Sequence, residues 1–255
     1  IMDFNKLDND TLRLQVEHVD VLTYLRHTVE TFAVNAEEKG VALRTRGTEG
    51  DFVTWIDTDK LDKITTNLLS NAMKATPAGT GQIDVEFDVV DADAIAKMRI
   101  PESQRGNLPQ AASYMVITVS DTGRGVPPEE REHIFDRYYQ LADQSAGRSN
   151  GGTGIGLYYS RALAKLHHGC LYVGDNPAVE GYGSRFTLII PVGEDVYSQK
   201  ERIAATVMPQ LANTSVAESP KLSAEEAEKL PTLLVVDDDS EVIAYLRTLL
   251  SPHFN

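Results

Sequence analysis

Residues 114–120, Tyr-Met-Val-Ile-Thr-Val-Ser, form an apolar run that ends directly on Asp121-Thr122-Gly123-Arg124-Gly125. A short, β-branched run stopped by a glycine-containing turn reads as a strand buried in a sheet. Its backbone N–H and C=O groups require neighbouring strands, and the chain supplies them. Residues 82–90, Gln-Ile-Asp-Val-Glu-Phe-Asp-Val-Val, alternate apolar and polar, and residues 12–19 do so at half-buried spacing. Further strands are expected at 41–46, 52–56, 170–174 and 184–191.

Between these strands the apolar period changes to that of a helix. Val21, Leu22, Leu25, Val29, Phe32 and Ala36 place a helix over 20–39, stopped by Gly40. Asp57 or Thr58 caps a second helix that runs to Ala75 and is ended by Pro77 and Gly79. A short helix is expected at 128–135, and another from Ile155 to His168, closed by Gly169. Residues 91–112 are polar with two prolines and read as a surface excursion. Strands and helices mix without strict alternation, so the class is α+β, one sheet with helices on one face.

The chain has 255 residues, and 24 Lys and Arg against 38 Asp and Glu leave a net charge of −14. That balance argues against a nucleic-acid surface, which needs clustered cations. No apolar run reaches the roughly 18–20 residues of a membrane helix. The single cysteine, Cys170, excludes a disulfide framework and a cysteine zinc site; it and Trp55 read as core residues. His167-His168 suit a helix C-terminus better than a metal site. After Pro191 the chain turns rich in Ala, Glu and Ser, with Tyr197 its only aromatic until residue 230. Residues 192–230 therefore read as a linker, and 231–255 as the start of another unit, too short to be a domain. The opening Ile1-Met2-Asp3 carries no signal-peptide pattern, and the whole reads as a piece of a longer protein.

Three segments carry chemistry. On the helix at 58–75, Asn67, Asn71 and Lys74 fall within an arc of roughly 60° beside the packing face of Leu61, Ile64, Leu68, Ala72 and Ala75. Amide oxygens are hard ligands suited to Mg²⁺, which takes its remaining ligands from water and phosphate, and Lys is a point charge for phosphate. Asp121, directly after the buried strand, can accept from an amino group while its glycines admit a ring. Gly152-Thr153-Gly154-Ile155-Gly156-Leu157 opens a helix, whose free N–H groups and positive end favour phosphate. Singly, these are equally a solvated helix face, a tight turn and a hinge.

Together and in this order they resemble the ATP-binding catalytic domain of sensor histidine kinases, within the wider family of gyrase, heat-shock chaperone and mismatch-repair ATPases. The likeness covers residues 12–191. Asn67 to Lys74 resembles the N box, Asp121-Thr122-Gly123-Arg124-Gly125 the first glycine box, and Ile134-Phe135-Asp136-Arg137-Tyr138-Tyr139 the F box. Gly152 to Leu157 resembles the second glycine box, and Gly183-Ser184-Arg185-Phe186-Thr187 the final motif. Ala75 departs from the aromatic residue usual after the N-box lysine. The resemblance implies a two-layer α/β sandwich of the Bergerat type, with ATP and Mg²⁺ as cofactors. It implies that Asn67 holds Mg²⁺, Asn71 contacts the nucleotide near the metal and Lys74 contacts phosphate. Asp121 takes the adenine amino group, Gly123 and Gly125 shape the adenine pocket, and Gly152, Thr153, Gly154, Gly156 and Leu157 shape the phosphate end. Residues 136–153 become a lid.

Asp3 to Leu7 resembles the end of a dimerisation helix, which makes 1–11 its remnant or a linker and places the phospho-accepting histidine before Ile1. None of the six histidines sits in the acceptor setting. Leu233 to Asp239 resembles the opening of a response-regulator receiver domain, with Asp237 and Asp238 as its Mg²⁺-binding pair. The layout implied is a hybrid kinase: a cytoplasmic part of a membrane-bound bacterial sensor, monomeric in this piece and homodimeric in full. Its partners are the dimerisation and receiver domains. An ATP-hydrolysing clamp and a non-catalytic nucleotide module are the alternatives. The clamp needs a Glu one turn before the metal Asn, where this chain has Lys63.

Overall fold

The computed structural model describes residues 12–106, 108–141, 153–179 and 183–202. Among these the strands are β1 (Glu17–Asp20), β2 (Ala42–Gly47), β3 (Val53–Ile56), β4 (Gln82–Asp91), β5 (Ser113–Asp121), β6 (Cys170–Asp175) and β7 (Ser184–Val192). The helices are α1 (Val21–Glu30), α2 (Ala33–Lys39), α3 (Thr58–Ala75), α4 (Ala92–Lys97), α5 (Glu102–Arg105) and α6 (Gly156–Leu166). Five strands form one mixed sheet in the order β2-β4-β5-β7-β6, and β1 and β3 pair in a separate ribbon. Only β2 and β4 run parallel; β4–β5, β5–β7 and β6–β7 are antiparallel.

The expected strand at 114–120 is β5, the middle strand, and its composition follows from its place. Met115, Ile117 and Val119 face the main core, with Val85 and Phe87 of β4 and Leu188 and Ile190 of β7. Leu61, Ile64, Leu68 and Ala72 of α3, Leu22 and Leu25 of α1, and Leu163 of α6 close that core from above. Tyr114 and Val116 point the other way and are covered by Ile95 and Ile100. The excursion at 91–112 thus contains α4 and α5 and caps one end of the opposite sheet face. The three long helices lie on one face, the α+β sandwich expected from the sequence.

Several boundaries differ from the sequence reading. The strand expected at 12–19 is confined to β1. The helix expected at 20–39 breaks at Thr31, whose hydroxyl turns back to the Thr28 carbonyl at 2.7 Å. The helix expected at 128–135 is two 3-10 turns, Pro128–Glu130 and His133–Phe135. Residues 192–202, expected to open a linker, are instead packed on the fold, where Tyr197 is buried with Leu14 and Val16. There the Val16 N–H donates to the Glu201 carbonyl at 2.7 Å, and Arg202 lies 5.5 Å from the centre of the Trp55 ring. Residues 203–255, with Asp237 and Asp238, lie outside the described residues, as do Gly152 and most of the expected lid.

Asp57 sets where α3 begins. Its Oδ1 accepts from the Lys60 N–H at 3.1 Å, an N-cap, and its Oδ2 holds Lys60 Nζ at 2.6 Å. Oδ2 also accepts from the Gln15 N–H at 2.7 Å, tying the leading segment to the helix start. Both side chains of the ion pair are buried, at 4% and 9% exposure. Asp57→Ala should therefore lower the unfolding free energy by about 3–5 kcal/mol, because it strands the Lys60 ammonium in a buried position. A loss under about 1 kcal/mol in urea unfolding would contradict that role.

Candidate functional site

The packing of α3 fixes the rotation of the helix. With Leu61, Ile64, Leu68, Leu69 and Ala72 turned into the core, Asn67, Asn71 and Lys74 are left on the adjoining face. All three line one cavity of about 220 Å³ together with Thr153, Gly154, Gly156 and Leu157. The structure therefore brings the helix face and the glycine loop into one site, as their order in the sequence implied.

Two glycines permit the closure. A Cβ on Gly156 would meet Asn67 Oδ1 at 2.3 Å, so α6 starts directly against that amide. Gly154 has φ +67°, and a Cβ there would lie 2.6 Å from the Tyr138 carbonyl carbon and 2.8 Å from the Tyr139 carbonyl oxygen. The Tyr138 N–H donates to the Gly154 carbonyl at 2.9 Å, which joins the loop to the segment after β5. No side chain caps the N-terminus of α6, so its first-turn N–H groups remain as donors at the cavity.

The cavity's polarity opposes that of the chain. Ile134, Tyr139 and Gln140 complete the lining, which contains no carboxylate among the described residues, although the chain carries a net charge of −14. Within the described residues Asn71 and Lys74 have no hydrogen-bond or ion-pair partner. Asn67 donates through Nδ2 to Ser160 Oγ at 2.9 Å. Two amides, an ammonium and a helix N-terminus converge without an anion to balance them, a set of donors suited to a polyanion.

Asp121, Gly123 and Gly125 stand apart from this lining. Asp121 is 1% exposed, and its Oδ1 accepts from the Gly123 N–H at 2.8 Å. Asn176 Nδ2 donates to the Asp121 carbonyl at 2.8 Å, and the Gly183 N–H to the Gly123 carbonyl at 2.8 Å. A Cβ on Gly123 would meet the Ala75 carbonyl at 2.7 Å, so the turn abuts the C-terminal end of α3. Gly125 faces Gly183. The expected adenine side and phosphate side thus share one helix. Burial raises the Asp121 carboxyl above its ordinary 3.8, against the lowering effect of N–H donation from Gly123 and Ser184.

The remaining candidates are structural. His167 is fully buried at the α6 C-terminus, and burial pushes it down to about 4. Cys170 is buried in the small cluster under α4 and α5, which pushes its thiol up to about 12. No group of three His, Cys, Asp or Glu among the described residues could hold a metal. No helix among them is long and apolar enough to cross a membrane. Ser160 escaped the sequence reading, although it lies one turn after Gly156 and so on the same helix face.

The sequence pattern of the histidine kinase-, DNA gyrase B- and HSP90-like ATPases matches residues 56–194. Sensor histidine kinase TmoS of Ectopseudomonas mendocina is 27% identical over all of this chain, which spans 24% of that protein. Sensor protein EvgS of Escherichia coli K12 is 31% identical over 75% of the chain, which spans 14% of it. Aerobic respiration control sensor protein ArcB of Escherichia coli K12 is 31% identical over 74%, spanning 21%. The chain thus spans a quarter or less of these relatives. In fold it is similar to full-length ShkA in complex with AMPPNP, with a TM-score of 0.55 and 24% identity over 74% of this chain and 34% of that one. It is also similar to the catalytic domain of histidine kinase ThkA, with a TM-score of 0.53 and 17% identity over 71% of this chain and 99% of that one.

The raised Asp121 carboxyl has a sign that can be measured. The folded state keeps this proton to higher pH than the unfolded chain, so stability falls as pH rises from 3.8 through the raised value. Asp121→Asn removes that contribution. The stability difference between variant and unmodified chain should move in the variant's favour across this window and then level off. Parallel pH–stability curves would contradict the assignment.

Proposed function

The chain belongs to the histidine kinase-, DNA gyrase B- and HSP90-like ATPase family, and from that premise we propose that it carries the ATP-binding catalytic domain of a sensor protein-histidine kinase. The observation that carries this reading is a cavity whose described lining has no carboxylate in an acidic chain, floored by Asn67, Asn71 and Lys74 and faced by the uncapped start of α6. Such a cavity suits a nucleotide triphosphate that brings its own negative charge and its own metal.

In this reading Lys74 and the first-turn N–H groups of α6 hold the phosphates, and Asn67 Oδ1 is the protein's ligand to Mg²⁺. Bound magnesium would neutralise charge on the phosphates as the γ-phosphoryl group leaves. Asn71 orients the nucleotide beside the metal. Thr153, Gly154, Gly156 and Leu157 shape the phosphate end, together with Gly152. Beside the C-terminal end of α3, Asp121 accepts from the adenine amino group, with Gly123 and Gly125 framing the ring.

The domain assignment belongs to the same proposal. Residues 12–191 are the catalytic domain, with 192–202 folded back on it; 1–11 are the end of a dimerisation helix. A linker follows to 230, and 231–255 open a receiver domain in which Asp237 and Asp238 form the acidic pair. The likeness to TmoS along the whole chain supports extending the reading to this tail. The phosphoryl acceptor is a histidine on a dimerisation domain, since none of the chain's six histidines has the acceptor setting. The full protein is then a membrane-bound homodimeric sensor with this part in the cytoplasm. The clamp-ATPase alternative fares worse, because Lys63 stands where its Glu would be and pairs with Asp59 at 2.8 Å, and the described lining holds no carboxylate to serve as a base for water.

Radiolabelled ATP tests the activity. Mixed with a dimerisation domain of a related hybrid kinase, the chain should place an acid-labile, base-stable label on that domain, with slow phosphate release alone. Fast phosphate release from the chain by itself would instead establish the clamp ATPase. In nucleotide titrations Asp121→Asn should weaken ATP binding by about tenfold to a hundredfold, the loss of a charge-assisted hydrogen bond. It should also narrow the preference over GTP, whose carbonyl offers no donor. An unchanged ATP/GTP ratio would put Asp121 outside the adenine contact.

A further inference from the structure

Ser160 is 1% exposed, sits one turn inside α6, and accepts from Asn67 Nδ2 at 2.9 Å. It is the only hydrogen-bond partner of the Asn67 side chain among the described residues. An asparagine amide presents an oxygen at one end and a pair of N–H donors at the other. With Nδ2 held by Ser160, Oδ1 faces Gly156 and the start of α6.

We propose that Ser160 is a positioning residue that holds the Asn67 amide with its oxygen turned toward the phosphate end of the cavity. The inference rests on the reading of Asn67 as a metal ligand and adds what orients it. A metal ion takes the amide oxygen and not the amide nitrogen, so the rotation of this one side chain decides whether Asn67 ligates or repels. The reversed amide would aim N–H donors at the N-terminus of α6, against the positive end of the helix. The helix end thus selects the orientation, and Ser160 Oγ holds it by accepting from Nδ2 on the opposite side. Burial of Ser160 means that water does not readily replace the lost acceptor, so without the hydroxyl Nδ2 is left unsatisfied and the amide is released to turn.

The separating measurement is the gain in ATP affinity on adding Mg²⁺, obtained by calorimetry of the full 255-residue chain in excess Mg²⁺ and in chelator. Ser160→Ala should reduce that gain by about threefold to tenfold, the scale of one unsatisfied buried polar group, and leave metal-free affinity within about twofold. Ser160→Cys, close in volume with a weak sulfur acceptor, should give a smaller loss and guards against misfolding of the alanine variant. Ser160→Thr keeps the hydroxyl and should restore the gain. Thermal unfolding of each variant confirms that folded protein is titrated. An undiminished Mg²⁺ gain in the alanine and cysteine variants would overturn the proposal, as would equal losses with and without metal, which mark a purely structural residue. If the unmodified chain itself shows no Mg²⁺ gain, the reading of Asn67 fails, and the role of Ser160 fails with it.

Discussion

The rotation of α3 about its own axis is the constraint on which the site depends. Leu61, Ile64, Leu68 and Ala72 must face the sheet, with exposures of 0%, 0%, 0% and 1%, and a rigid helix then has no freedom in where its other residues point. Asn67, Asn71 and Lys74 are delivered to the cavity by the same burial that stabilises the fold. Asp57 sets the start of the helix through its cap and its ion pair to Lys60. Function and stability thus share one element, and a core substitution in α3 disturbs both.

Charge separates this cavity from the rest of the surface. The chain excludes anions on average, yet the lining offers amides, an ammonium and a helix start that no side chain caps. A metal alone would find too few ligands there, because hard divalent cations take six or more oxygens and usually include carboxylate. A metal carried on phosphates finds the missing ligands on its own cargo. Among the described residues the lining therefore suits a polyanion that brings its own metal.

Local patterns made much of this legible in the sequence. The alternation at 82–90 and the cap, apolar period and stop of 58–75 are set by neighbours a few residues away, and β4 and α3 follow them closely. The glycine and asparagine motifs could be placed on elements, and the N-box residues and the second glycine loop line one cavity, while the Asp121 turn stands beside the end of α3. What escaped depends on distant contacts. Tyr197 looked like a lone aromatic in a linker, but it is buried against Leu14 and Val16, residues some 180 positions away. The polar excursion hid Ile95 and Ile100, whose partners are on β5 and β6. Ser160 is a small residue in an apolar-periodic helix, and only the approach of α3 to α6 gives it a partner.

Asn67 is the point where the fold, the cavity and the proposed chemistry meet, so its replacement tests the account most directly. ATP titrated into the full chain and into Asn67→Ala, each with and without Mg²⁺, gives four affinities. The account predicts that the variant loses far more affinity for Mg-ATP than for metal-free ATP, because one ligand to the metal has gone while Lys74 and the α6 N-terminus remain. Equal losses in the two conditions would contradict it and return Asn67 to the role of a half-buried amide that merely joins two helices.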